Sequence, residues 1–134
     1  MIHRFALLFF VAVPLLAQQP DDPLARYLVP PDLIMAHSQE LNLLEKQRAA
    51  IKAEVQKAQS KFIDLQWDMK EESEKMIRLL QQTPADEARI LEQADKVMAM
   101  EREIKKTQLS LLIRIRNVLT PEQMAKLEEI RRKN

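Results

Sequence analysis

Few residues in this chain have the chemistry of a reactive or metal-binding site. Apart from His3, near the start, its one histidine is His37. His37 lies four residues after Leu33 and four before Leu41, on the apolar side of a short helix. Met35, Glu40 and Glu54 are its candidate neighbours, and imidazole, carboxylate and thioether together form a donor set for a transition metal. Nickel or cobalt sites draw on several nitrogen and oxygen ligands, usually with more than one imidazole. His37 is therefore the single metal candidate. No cofactor is expected, and a metal ion at His37 is the alternative. Met69, Met76 and Met98 could suggest copper(I), but their spacing favours core packing. Met100 and Met35 fit that spacing less well. With one usable histidine, four serines and no cysteine, no nucleophile–base pair can be drawn, and the chain does not read as an enzyme.

The rest of the composition says what must position these side chains. The chain has 134 residues, enough for one domain, with no glycine, no cysteine and 4% aromatic residues. Without glycine there is no phosphate-cradling loop. Ala, Leu, Glu, Gln, Lys, Arg and Met dominate, which is a helix former's composition. The expected class is all-α.

Residues 1–17 differ from the rest. His3 and Arg4 precede an apolar run from Phe5 to Val13, then Pro14-Leu15-Leu16-Ala17, the pattern of a secretory signal peptide. Ala17 is the candidate last residue before cleavage, with Leu15 larger than the small residue preferred at that position. A retained membrane anchor is the alternative, although a spanning helix needs ~20 apolar residues. Export would place the mature chain in the periplasm or beyond. Removing residues 1–17 takes away one Arg and no acid, leaving 20 basic against 20 acidic residues. A neutral exported protein is a poor nucleic-acid binder.

Residues 18–30, with Pro20, Pro23 and Pro30, read as an extended mobile arm. A short helix should follow from Pro31 to about Leu41, with either a break at Asn42, which tolerates the left-handed conformation, or a helix that continues through it. A second helix should run from about Leu44 to Gln81. Its seam is Ile51, Val55, Ala58, Phe62, Leu65, Met69, Glu72, Met76 and Leu79, a heptad pattern with one polar interruption. Thr83-Pro84 should end it and cap a third helix from Pro84 to about Asn117. That helix repeats Ile90, Val97, Ile104, Leu111 and Val118, with Ala94, Glu101, Gln108 and Ile115 between. Two facing seams joined by a short turn imply an antiparallel hairpin, each arm roughly 50 Å long. Its register places Met69 near Val97, Phe62 near Ile104 and Val55 near Leu111. Glu71/Lys75, Glu74/Arg78, Glu92/Lys96 and Glu101/Lys105 are candidate surface ion pairs. A fourth helix should start at Pro121. The apolar surface widens near the end of the third helix, so the short first and fourth helices, or a second subunit, must cover it.

The most informative local pattern is Leu119-Thr120-Pro121-Glu122-Gln123. Thr followed three residues later by Gln is a capping box, and Pro takes the first helical position. Leu119 and Met124 are placed to staple across the cap. The same five residues read LTxxQ. Leu43-Leu44-Glu45-Lys46-Gln47 resembles a degenerate copy that keeps Leu43 and Gln47 but has Leu44 in place of Thr.

With these motifs, the chain resembles the Spy/CpxP family and its heavy-metal-resistance branch, which includes CnrX-like periplasmic sensors. The likeness covers most of residues 30–133. It implies an all-α fold, a long antiparallel helical hairpin with a short helix at each end, in a domain over residues 31–134 that forms homodimers. It implies binding of misfolded clients or of a periplasmic sensor domain in envelope stress, without ATP. The alternatives are a metal sensor of the CnrX type, whose His-rich ligand set is missing here, and a purely structural adaptor. Candidate partner-binding residues are the off-seam Ile63, Trp67 and Ile77, and the basic Arg102, Lys105, Lys106, Arg114 and Arg116. A solvated face is the plainer reading of the basic group.

Overall fold

The computed structural model describes residues 27–134. The expected signal peptide, its cleavage after Ala17 and residues 18–26 of the arm lie outside the described residues. Four helices follow in order: α1, Pro31–Ala36; α2, Glu45–Leu80; α3, Glu87–Val118; and α4, Pro121–Lys133. No strand occurs among the described residues, and no helix there is long and apolar enough to cross a membrane. α2 and α3 pack along each other as the expected hairpin.

Its register follows the heptads. Lys61 faces Glu103 at 3.9 Å, one step from the expected Phe62/Ile104 pair, and Gln93 reaches Glu72 at 2.6 Å. Ile51, Ala58 and Leu65 are buried at alternate seam positions, with Phe62, Met69 and Met76 half-buried between and beyond them. The α3 seam departs from expectation. Glu101, expected in the seam, is exposed, while Gln93 and Thr107, outside it, are buried and Met100 is half-buried; Gln108 is buried as its seam position requires. Seen from Ile90, Val97 and Ile104, the contact face leans toward the Gln93–Met100–Thr107 line. Met98 falls outside it and is 50% exposed, so it is a surface residue and not core. Of the four expected surface pairs, Glu71/Lys75 closes, at 3.0 Å.

The core lies at the open end of the hairpin. Val29, Ile34, Leu41, Leu43, Ile51, Ile115, Leu119, Leu127 and Ile130 form one buried cluster, with Leu33, Val55, Leu111, Val118 and Met124 packed against it. The short helices thus supply the cover that the widened end of α3 requires. Leu119 and Met124, either side of the α4 cap, both join this cluster, as a staple would. The last part of the expected arm is also core. Leu28 and Val29 are buried, and the Arg131 guanidinium donates to the Leu28 carbonyl at 2.7 Å. Apolar side chains at 28 and 29 outweigh the neighbouring prolines.

Two helix ends differ from expectation. α1 stops at Ala36, and residues 37–42 continue as turns, with the Leu43 N–H donating to the Ser38 carbonyl at 3.0 Å. α3 starts at Glu87 and not at Pro84, after a turn in which the Thr83–Pro84 peptide is cis. Asp86, rather than Thr83, is its cap: the carboxylate accepts from the Arg89 N–H at 3.2 Å. The break at Asn42 is present, with φ of 50°. A β-branched residue cannot hold that left-handed conformation without a penalty of about 1–2 kcal/mol. Asn42→Val should lower the unfolding free energy by about that amount in urea titrations followed by circular dichroism, whereas Asn42→Gly should fold at least as well. A Val variant with an unchanged midpoint would contradict the left-handed turn.

Candidate functional site: a paired glutamine lock and a histidine edge

The two motif copies, 76 residues apart, meet in the core through their glutamines. Gln47 and Gln123 are 6% and 8% exposed. Gln47 Nε2 donates to Gln123 Oε1 at 2.8 Å, and Gln123 Nε2 donates back to Gln47 Oε1 at 3.0 Å. Each amide then serves backbone on both sides. Gln47 Nε2 also donates to the Val118 carbonyl at 3.0 Å, and Gln47 Oε1 accepts from the Leu44 N–H at 3.0 Å. Gln123 Nε2 donates to the Leu41 carbonyl at 3.2 Å, and Gln123 Oε1 accepts from the Thr120 N–H at 2.9 Å. A primary amide offers two donor hydrogens and two acceptor lone pairs, so both side chains are fully satisfied.

The arrangement is nearly two-fold. Each glutamine closes the first turn of its own helix and binds a carbonyl in the segment that leads into the other motif, Val118 for Gln47 and Leu41 for Gln123. The capping box expected at Thr120 is complete, since Thr120 Oγ1 accepts from the Gln123 N–H at 3.2 Å. At Leu44 only half of it exists, because leucine has no acceptor and only the glutamine reaches back. The degenerate copy tolerates Leu44 because the glutamine pair, not the cap hydroxyl, joins the two motifs. The sequence contained a sign of this pairing in the retained Gln47, but capping alone did not require the two glutamines to meet.

The other candidate residues do not gather into one site. Ile63, Trp67 and Ile77 are exposed on α2, with Trp67 at 66% and the Lys70 ammonium 5.4 Å from its ring centroid. Leu80, Leu91 and Met98 add further exposed apolar surface along the hairpin. Arg102, Lys105, Lys106, Arg114 and Arg116 are exposed along α3. Arg114 pairs with Glu54 at 3.5 Å, and Lys106 shares a shallow groove with Glu54, Asp64 and Glu103, so the basic residues are interleaved with acids.

His37 follows the last residue of α1, and its ring is partly buried. Its Nδ1 lies 2.9 Å from Glu40 Oε1. If Nδ1 carries the proton, it donates to Glu40 and leaves Nε2 as the nitrogen able to bind a metal, the usual carboxylate-oriented arrangement. No group of three or more His, Asp or Glu side chains suited to a metal occurs among the described residues. Nickel, cobalt and zinc take four or more ligands. The described residues therefore fit one oriented imidazole ligand and do not fit a closed, tightly held metal centre.

Fold and site together define a small all-α hairpin protein whose paired LTxxQ-type segments lock its base. The chain belongs to the heavy-metal-resistance family, whose model matches residues 5–126, and this family includes CnrX- and Spy-like LTxxQ proteins. No curated protein and no solved structure matches it.

Removing one glutamine strands the other amide and leaves a backbone carbonyl and an N–H without partners. Each such buried group costs about 1–3 kcal/mol. Gln47→Leu and Gln123→Leu should each destabilise the protein by roughly 2–4 kcal/mol in chemical denaturation. The double variant should cost clearly less than the sum, because the second change removes a group already unpaired. Strict additivity would contradict the direct pair.

Proposed function

We propose that the protein is an exported, non-catalytic heavy-metal-resistance module that meets a metal ion outside the cytoplasm and responds by binding another protein. Family membership over residues 5–126 carries this reading. His37 supports the metal contact. It is the only histidine among the described residues, and Glu40 orients its ring. One imidazole with a carboxylate behind it suits a weak, exchangeable contact, in which the metal is a signal or cargo and other ligands complete its shell. This chain's residues hold the ring, fix its tautomer and leave Nε2 free.

Titrating nickel, cobalt, copper and zinc into the protein by calorimetry tests the contact. At least one metal should bind weakly and lose that binding in His37→Ala, while Glu40→Gln should weaken it. Absence of binding for all four metals, or an unaffected His37→Ala variant, would overturn the metal reading.

One observation favours a second reading, in which the protein binds misfolded clients or a periplasmic sensor domain. Ile63, Trp67 and Ile77 are large apolar side chains in solvent on one long helix, and aromatic residues dominate binding energy where they become buried. The same surface would serve a homodimer. Suppression of aggregation of a denatured client should drop in Trp67→Ala, and sedimentation should show whether that change also dissociates a dimer. No suppression by the wild-type protein at several-fold excess would remove the client reading.

A further inference from the structure

The half of the hairpin nearer the turn is held differently from the base. Between Leu65 and Leu112 no apolar side chain is buried. Met69, Met76, Ile90, Val97 and Ile104 are half-buried in the seam, and Trp67, Ile77, Leu80, Leu91 and Met98 are exposed. The buried residues of this stretch are all polar: Gln93, Thr107 and Gln108. Gln93, 6% exposed, is the one closest to the turn.

Gln93 Nε2 donates to Glu72 Oε2 at 2.6 Å and to the Glu72 backbone carbonyl at 2.8 Å. Glu72 Oε1 accepts from Lys75 Nζ at 2.8 Å, and Lys75 also pairs with Glu71 at 3.0 Å. An apolar contact is non-directional and indifferent to charge. A carboxylate–carboxamide bond is directional, and its strength depends on the carboxylate being ionised. Where such a bond replaces a buried apolar pair, losing it leaves little to hold the two helices together. Opening energies vary within one fold, and regions with few buried apolar contacts open first.

We infer that the turn half of the hairpin is a gate clasped by Glu72 and Gln93, which opens while the glutamine-locked base stays closed. Release of the clasp parts α2 from α3 at the turn and uncovers the seam side chains Met69, Met76, Ile90 and Val97. These apolar residues are otherwise half hidden, so opening enlarges the apolar surface next to Trp67 and Ile77.

The charged groups facing Glu72 are Glu71 and Lys75 on its own helix and Lys96 on α3. The Lys75 hydrogen bond, then the Gln93 hydrogen bond, hold its carboxyl below the ordinary value, outweighing partial desolvation. The carboxylate bond of the clasp is complete above the ordinary glutamate pKa of about 4.3 and weakens as pH falls through the lower folded value, leaving the bond to the Glu72 backbone carbonyl to hold Gln93 alone.

Spin labels at Arg78→Cys and Arg89→Cys, exposed positions on either side of the turn in a chain without cysteine, read the gate in the full-length protein. At neutral pH the double electron–electron resonance distribution should be narrow. It should broaden to longer distances in acid, and in Glu72→Ala already at neutral pH. Glu72→Leu/Gln93→Leu, which puts an apolar pair in the seam, should stay narrow at both pH values. Amide exchange over Leu112–Lys133 should remain slow in Glu72→Ala. A narrow distribution in Glu72→Ala overturns the gate, as does acid broadening of the double-leucine variant equal to wild type. So does loss of protection at the base in Glu72→Ala, which would mean global unfolding rather than local opening.

Discussion

Two buried carboxamides, from Gln47 and Gln123, tie together four chain segments at the base of the hairpin. Their mutual hydrogen bonds join the starts of α2 and α4, and their outer bonds reach the carbonyls of Leu41 and Val118. Each carbonyl lies where helical or turn bonding has ended, so it needs a side-chain partner or water. An apolar residue at either position could fill the space but could not satisfy those groups. The surrounding cluster of Val29, Ile34, Ile51, Ile115, Leu127 and Ile130 keeps water out, which raises the penalty for any unmade bond. The fold thus has its directional interaction and its driest core in the same place.

The protein is consequently asymmetric along its length. At the base, α1, α4 and the Leu28–Val29 segment wrap α2 and α3, and the apolar core is closed. Towards the turn only two helices remain, and two helices cannot enclose a wide apolar seam. Their seam is half open, and polar residues occupy its most buried positions. Stability and surface are therefore divided: the base holds the structure, and the outer arm displays Ile63, Trp67 and Ile77.

The metal question follows from the same division. His37 sits at the edge of the base, in the turn that links α1 to the lock, and Leu41 in that turn supplies a carbonyl to Gln123. A ligand at His37 would thus act on a segment tied directly to the core. The ring has one orienting carboxylate and no cluster of further ligands among the described residues, so affinity from this side chain alone is bounded. Family membership points to heavy-metal resistance, while the donor set among the described residues offers one oriented imidazole and no closed site.

The sequence alone determined the helical class, the hairpin and its register, because heptad spacing acts along one chain and its consequences are local. It also determined the Thr120 cap, which depends on residues a few positions apart, and marked Asn42 as the candidate break, which the left-handed turn of the structure then decided. Other features were out of its reach. Met98 lay in solvent and Gln93 in the seam because a lean of α3 by part of a turn changes which heptad line is covered. Leu28 and Val29 joined the core because α4 offered them a surface and Arg131 a hydrogen bond. The meeting of Gln47 with Gln123 was decided by the tertiary structure alone. Capping explains each glutamine within its own turn, but only the packing of α1, α2, α3 and α4 brings two amides separated by 76 residues within 3 Å of each other.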